Sequence, residues 1–317
     1  MIPLVDLTAA YARQKHELDA ALAAVVDSAR FINGPEVAAF EAEYARFCGT
    51  AHAVGTGSGT AALHLSLAAL GVGPGDVVAV PAHTFIATAE PVTWLGATPR
   101  FVEVDEQTGC LDPDALKAAV DGVAAVVPVH LYGRPADLAQ ITAIAADAGV
   151  PVVEDAAQAH GAELVEPAGT VRRAGGYAPL GCFSFFPGKN LGAFGDAGAV
   201  TTDDPDLAAR LRMLRDHGRS SKYEHQLSGY AHRLDTIHAA VLRVKLLAHL
   251  SAAGIGAGVH YPVPLHLQPA YAHLGGRPGD LPVTEAWARE CLSLPLYPEL
   301  TSEQLDEVVA AVRGYFG

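Results

Sequence analysis

The sequence predicts an α/β fold, with a mostly parallel central sheet, helices on both faces and a small, truncated α+β domain at the C-terminal end. Three observations predict it. Between residues 50 and 202, short β-branched runs alternate with Ala/Leu-rich helical stretches. The runs are apolar on both faces, as strands covered by helices on each side must be. The 317 residues, half of them hydrophobic, suffice for one large core with a smaller unit beside it.

The expected strands are residues 51–56 (AHAVGT), 76–82 (DVVAVPA), 98–104 (TPRFVEV), 124–131 (AAVVPVHL) and 150–156 (VPVVEDA). Helical patterns at 60–70, 112–120 and 137–149 separate them, which makes βαβ units. Residues 181–186 (GCFSFF) and 197–203 (AGAVTTD) then read as a hairpin-like strand pair, followed by helices over 205–217 and 233–250. The tail holds two strand-like pieces, 258–263 and 292–297, and a helix over 302–316. This organisation places a large domain at 1–250 and a shortened small domain at 251–317.

Charge narrows the partners. Thirty-five acidic against 21 basic residues leave a net charge of −14, which argues against nucleic acid or an anionic membrane as partner. No apolar run reaches membrane-spanning length, and the N-terminus has no basic segment followed by an apolar core, so a cytoplasmic protein is expected. Cys48, Cys110, Cys182 and Cys291 stand far apart and are expected to be buried thiols. Fourteen histidines include no HExxH-like pairing, so no metal site is expected.

Four features fall at the ends of expected elements, where open α/β sheets place their ligands. Gly57-Ser58-Gly59-Thr60 follows a strand and opens a helix; amides there, beside a hydroxyl, make a phosphate cradle, although a Ser-Gly turn is equally ordinary capping chemistry. Phe85, in Pro81-Ala82-His83-Thr84-Phe85, can stack on a flat ring or simply join the core. Glu154-Asp155 ends a hydrophobic run, where acids need partners; Asp155 can face a protonated pyridine nitrogen or cap the next turn. Lys189, in Ser184-Phe185-Phe186-Pro187-Gly188-Lys189-Asn190, stands among small and aromatic residues. In a dry pocket its pKa falls and it becomes an amine nucleophile; otherwise it is an ordinary surface lysine. In this order the four compose a site for pyridoxal 5'-phosphate (PLP) on a fold-type I scaffold.

With these residues in view, the sequence resembles the DegT/DnrJ/StrS family of PLP-dependent sugar aminotransferases. The likeness runs through PLVDL (3–7), FINGPEVAAFE (31–41), GSGTAALHL, PAHTFIATA, EDAAQAHGA and SFFPGKNLGAFGDAGAV, and continues through LRDHGRSSKYEH (214–225), RLDTIHAAVLRVKL (233–246) and GIGAGVHYPVPLHLQPAY (254–271). The resemblance implies that Lys189 carries the cofactor and later moves the substrate proton, that Asp155 pairs with the ring nitrogen, and that Gln158 contacts the ring hydroxyl. It implies that Phe85 stacks on the ring and that Gly59, Thr60 and Ser184 hold the phosphate. His260 and Tyr261 would line the sugar pocket; packing is an equal reading of Tyr261. The substrates implied are a nucleotide-linked keto sugar and an amino-acid donor, usually L-glutamate, acting in a homodimer. The stretch HGRSSKYEH is similar to enzymes that aminate dTDP-linked 3-keto-6-deoxy sugars.

Two departures from the family pattern stand out. Relatives carry Asn where Ala231 lies in Gly229-Tyr230-Ala231-His232-Arg233, and that Asn reaches the neighbouring subunit's cofactor phosphate. Ala231 has no side-chain donor, and His232 is the candidate substitute. Second, the helix at 233–250 runs directly into Ser251-Ala252-Ala253-Gly254-Ile255, where the family interposes roughly sixty residues of small domain. These leave a second reading open, a catalytically weak paralogue that binds PLP or a sugar nucleotide. A third is a PLP-dependent dehydratase or deaminase that keeps its lysine; dehydratases in which His replaces it are disfavoured by Lys189. A nicotinamide enzyme is poorly supported, because GTGSGT lacks the GxGxxG spacing.

Overall fold

The computed structural model describes residues 5–166, 169–249, 261, 263–290, 300–306 and 308–309. Nine strands lie in this part: β1 (His52–Thr56), β2 (Val77–Pro81), β3 (Thr98–Val102), β4 (Ala125–Val126), β5 (Val153–Asp155), β6 (Glu163–Val165), β7 (Val171–Arg173), β8 (Leu180–Ser184) and β9 (Gly198–Thr202). β3-β2-β4 and β5-β8-β9-β1 form two hydrogen-bonded groups. Parallel bridges Val126↔Val152 and Val129↔Asp155 join them, giving one sheet of order β3-β2-β4-β5-β8-β9-β1. Only β9 runs antiparallel to its sheet neighbours, so the mostly parallel sheet is as expected.

The helices are α1 (Leu7–Arg13), α2 (Lys15–Ser28), α3 (Pro35–Cys48), α4 (Gly59–Ala69), α5 (Glu90–Trp94), α6 (Pro113–Ala119), α7 (Leu138–Asp147), α8 (Pro205–Leu214), α9 (Thr236–His249) and α10 (Pro282–Glu290). The period of two along the strands divides the apolar residues between two cores. Val78 and Val80 of β2 join Leu63, Leu65, Val92 and Leu211 of α4, α5 and α8 on one face. Ala79, between them, joins Phe40, Leu116, Ile141 and Leu242 of α3, α6, α7 and α9 on the other. α4 is buried on nearly every side, which explains why its sequence is apolar all round rather than striped.

Several expectations change in detail. The run at 124–131 yields only the two residues of β4, and α8 ends at Leu214 rather than 217. Pro128 interrupts the first, since proline donates no ladder hydrogen bond. The hairpin β6–β7 and helix α10 were not anticipated. Cys48, Cys110 and Cys182 are free and buried; burial pushes all three thiols up. Among the described residues no cluster of potential metal ligands occurs and no helix is long and apolar enough to cross a membrane. Cys291, His260, the strand-like piece at 292–297 and the Ser251–Ile255 junction lie outside the described residues, as do most of 258–263 and much of 302–316.

Candidate active site

The site forms where β1, β2, β5 and β8 end. At its first corner, Ser58 caps α4, its hydroxyl accepting a hydrogen bond from the Ala61 amide at 3.0 Å. The next residue, Gly59, lies against the end of β8: a Cβ there would stand 2.6 Å from the Ser184 Cβ. Only glycine lets the helix start and the strand end approach so closely. The Gly59 and Thr60 amides thus open α4 beside the end of β8, with the helix dipole behind them.

The two acids at the end of β5 point to opposite faces and do different work. Glu154 is fully buried and structural: it meets His130 Nε2 at 3.0 Å and accepts from the Gly175, Tyr177 and Ala178 amides at 2.7, 2.8 and 2.6 Å. Asp155 faces the site. Thr88 Oγ1 donates to its Oδ2 at 2.8 Å, and the Ala157 amide to its Oδ1 at 3.2 Å. Burial holds this carboxyl above the ordinary carboxylate range, against the lowering influence of those two donors and of Lys189. Burial disfavours the charged carboxylate, and a cationic partner would favour it.

Lys189 follows β8 on a tight turn closed by its own amide to the Phe186 carbonyl at 2.8 Å. Burial lowers its ammonium pKa below 10.5, with the Asp155 charge opposing. The two groups thus sense each other across the space between the β5 and β8 ends. Gln158 receives the Tyr132 amide on Oε1 at 2.7 Å and donates from Nε2 to the Tyr261 hydroxyl at 3.0 Å. Burial raises that phenol to about 12. Tyr261 also lies 5.4 Å, centre to centre, from the half-exposed Phe85 ring. Thr84, Phe85, Ile86, Tyr261, Val263, Leu265 and Gln268 line a cleft of about 210 Å³.

The structure therefore brings Gln158 to Tyr261 and Tyr261 to Phe85, sets Gly59 against Ser184, and leaves Lys189 and Tyr261 within electrostatic reach of Asp155. His232 is engaged within its own chain: its Nε2 lies 3.2 Å from His64 Nδ1, and its carbonyl accepts the Gly57 amide at 2.9 Å. Sequence reasoning missed Thr88, Tyr132 and His83. The Thr84–Thr88 spacing, with hydroxyls 2.9 Å apart, was the available signal for the first; nothing local marks the other two.

These residues fit PLP. The Gly59–Ser184 approach leaves a cradle that a Cβ would fill, Asp155 is a buried carboxyl awaiting a cation, and Lys189 is an amine whose proton is loosened.

Comparison with known proteins agrees. A sequence profile described as the DegT/DnrJ/EryC1/StrS aminotransferase family matches residues 12–248 and 242–313. The dTDP-3-amino-3,4,6-trideoxy-alpha-D-glucose transaminase of Streptomyces venezuelae is 43% identical over 366 aligned positions, covering 98% of this chain and 95% of that one. The UDP-N-acetyl-3-dehydro-alpha-D-glucosamine 3-aminotransferase of Acidithiobacillus ferrooxidans is 39% identical, covering 98% and 97%. Among solved structures, S. venezuelae DesV in complex with a ketimine intermediate superposes with a TM-score of 0.94 at 42% identity, covering 99% of this chain and 98% of that one. The 366 aligned positions exceed the 317 residues here, so part of that relative has no counterpart in this chain. The two profile matches meet at 242–248, the end of α9.

Proposed function

Because the chain belongs to the DegT/DnrJ/EryC1/StrS aminotransferase family, we propose that it uses PLP to move an amino group from L-glutamate to a dTDP-linked 3-keto-6-deoxyhexose. The single observation that carries this reading is Lys189 at the end of β8, an amine whose charged form burial disfavours, within electrostatic reach of the buried Asp155. We further propose that it works as a cytoplasmic homodimer.

Bound PLP supplies a carbonyl for amine exchange and an electron-withdrawing ring. The protein's own groups do the rest. Gly59, Thr60 and Ser184 bind the phosphate through the α4 amides and two hydroxyls. Asp155 would hold the ring nitrogen, with Thr88 donating to that carboxyl to orient it. Gln158 would donate to the ring oxygen, and Phe85 would pack against the ring. Lys189 would hold the cofactor through its side-chain amine and would move a proton at the reacting carbon. The cleft against Phe85 and Tyr261 admits the sugar. A dehydratase or deaminase reading has less support, since the curated relatives named above are transaminases.

Titrating the apoprotein with PLP tests the reading. An absorbance band characteristic of a lysine-bound cofactor is expected, Lys189→Ala should lose it, and L-glutamate should convert it to the aminated cofactor. The loading rate should rise with pH through an inflection below 10.5, because only the neutral amine reacts and burial lowers its pKa. A band unchanged by any amino donor would leave a PLP-binding paralogue, the reading that Ala231 and the absent segment favour. No band at all would remove both.

A further inference from the structure

Tyr132 is the one Phe, Tyr or Trp among the described residues whose backbone is left-handed, with φ +56° and ψ +24°. An L-residue pays roughly 1–2 kcal/mol for that conformation, and Gly133 beside it is left-handed as well, at φ +81°. The surrounding contacts over-determine the turn. His130 anchors it to β5 through its amide on the Asp155 carbonyl at 3.0 Å and its Nε2 at Glu154. The Ala136 amide then donates to His130 Nδ1 at 3.0 Å. From the other side His83 Nε2 lies 3.0 Å from the Tyr132 hydroxyl. His83 is 1% exposed, and burial lowers its pKa to about 4, so this latch is a neutral one.

The consequence falls on Gln158. A backbone N–H can only donate, so the Tyr132 amide at 2.7 Å must meet the oxygen of the Gln158 carboxamide. The amide flip is thereby settled, and only the NH₂ end faces the cleft. One of its hydrogens goes to the Tyr261 hydroxyl at 3.0 Å, leaving the other for an acceptor in the site. We propose that Tyr132 is a positioning residue: its strained backbone holds Gln158 as an obligate hydrogen-bond donor toward the cofactor's ring oxygen. This rests on the PLP reading above. With the amide released, Gln158 turns oxygen-first as readily as nitrogen-first, and the ring oxygen loses the donor that favours its ionised form.

Two variants separate this role from ordinary packing. Tyr132→Ala and Tyr132→Gly both delete the ring and the hydroxyl, and both keep the N–H; they differ in their tolerance of a left-handed backbone. In equilibrium titrations of the apoprotein, Tyr132→Ala is expected to bind PLP roughly 5–30-fold more weakly than Tyr132→Gly. The pH midpoint of the bound cofactor's absorbance change should rise in Tyr132→Ala by on the order of one unit, and stay near wild type in Tyr132→Gly. In a Gln158→Ala background the difference between the two should vanish, since they act through the same group. Equal PLP affinity and midpoint for the two variants, or a difference that survives in Gln158→Ala, would overturn the inference. So would a Tyr132→Ala chain that fails to fold by thermal melting, which would make the residue a requirement of the fold instead. A wild-type apoprotein that binds no PLP would defeat the underlying reading first, and is seen before any variant is compared.

Discussion

A Cβ on Gly59 would lie 2.6 Å from the Cβ of Ser184 and 3.2 Å from its hydroxyl, and neither neighbour can retreat, because Ser184 ends a core strand. Gly59→Ala is therefore expected to cost about 1–3 kcal/mol by overpacking and, in the same stroke, to shift the start of α4, where the phosphate is proposed to bind. Thermal melting and PLP titration should both register it; a stable variant with unchanged PLP affinity would show that the cradle lies elsewhere. Asp155 and Glu154 make the complementary case. They are adjacent, both buried and both acidic, yet one is consumed by His130 and three backbone amides while the other keeps its face to the site. The alternation of a strand, with period two, is what separates a structural acid from a working one.

Helix α10 shows how an element can depend on a residue far away in sequence. Its first turn begins at Pro282, and the amides of Val283 and Thr284 donate to the Glu103 carboxylate at 3.1 and 2.8 Å, joined by the Thr284 hydroxyl. Glu103, just past β3, thus acts as the N-cap of a helix some 180 residues later. Around it Tyr271 packs edge-on to Phe101 at 5.3 Å, and Trp287 donates to the Glu106 carbonyl at 3.2 Å. The Leu265 amide adds a bond to the Ala82 carbonyl at 2.9 Å, next to the loop that carries Phe85. Glu103→Ala is expected to destabilise this docked segment by about 0.5–2 kcal/mol. Hydrogen exchange should then speed up across residues 282–290 and stay unchanged in β2 and β8. Exchange unchanged in α10 would mean that Trp287 and Tyr271 hold the segment alone.

At the scale of the molecule, the −14 charge keeps chains apart at long range, while Leu7, Phe31 and Ile32 stay about half exposed near the N-terminal end. Apolar groups of that size favour a covered surface. The proposed homodimer predicts a solution mass by light scattering of twice the 32.9 kDa chain, and PLP-loaded protein that stays monomeric would count against it. His232 bears on the same surface question. Its imidazole is occupied by His64 of its own chain, so the substitute expected for the missing asparagine is already committed to a partner. With Ala231 unable to donate, a bound phosphate would have to rely on the proposed α4 amides, Thr60 and Ser184.

The sequence by itself determined the parallel sheet and the order of the segments proposed to bind the cofactor, and it singled out Lys189, Asp155, Gln158 and Phe85 as candidates. Hydrophobic period and turn chemistry are local, and strand ends are where local pattern changes. Tertiary structure alone decided what occupies Glu154, that Thr88 donates to Asp155, and that Tyr132 reaches Gln158 through its backbone. It also decided that Glu103 caps α10. Each of these depends on contacts between segments separated by 21 to 181 residues, and their geometry exists only once two cores have packed against opposite faces of one sheet.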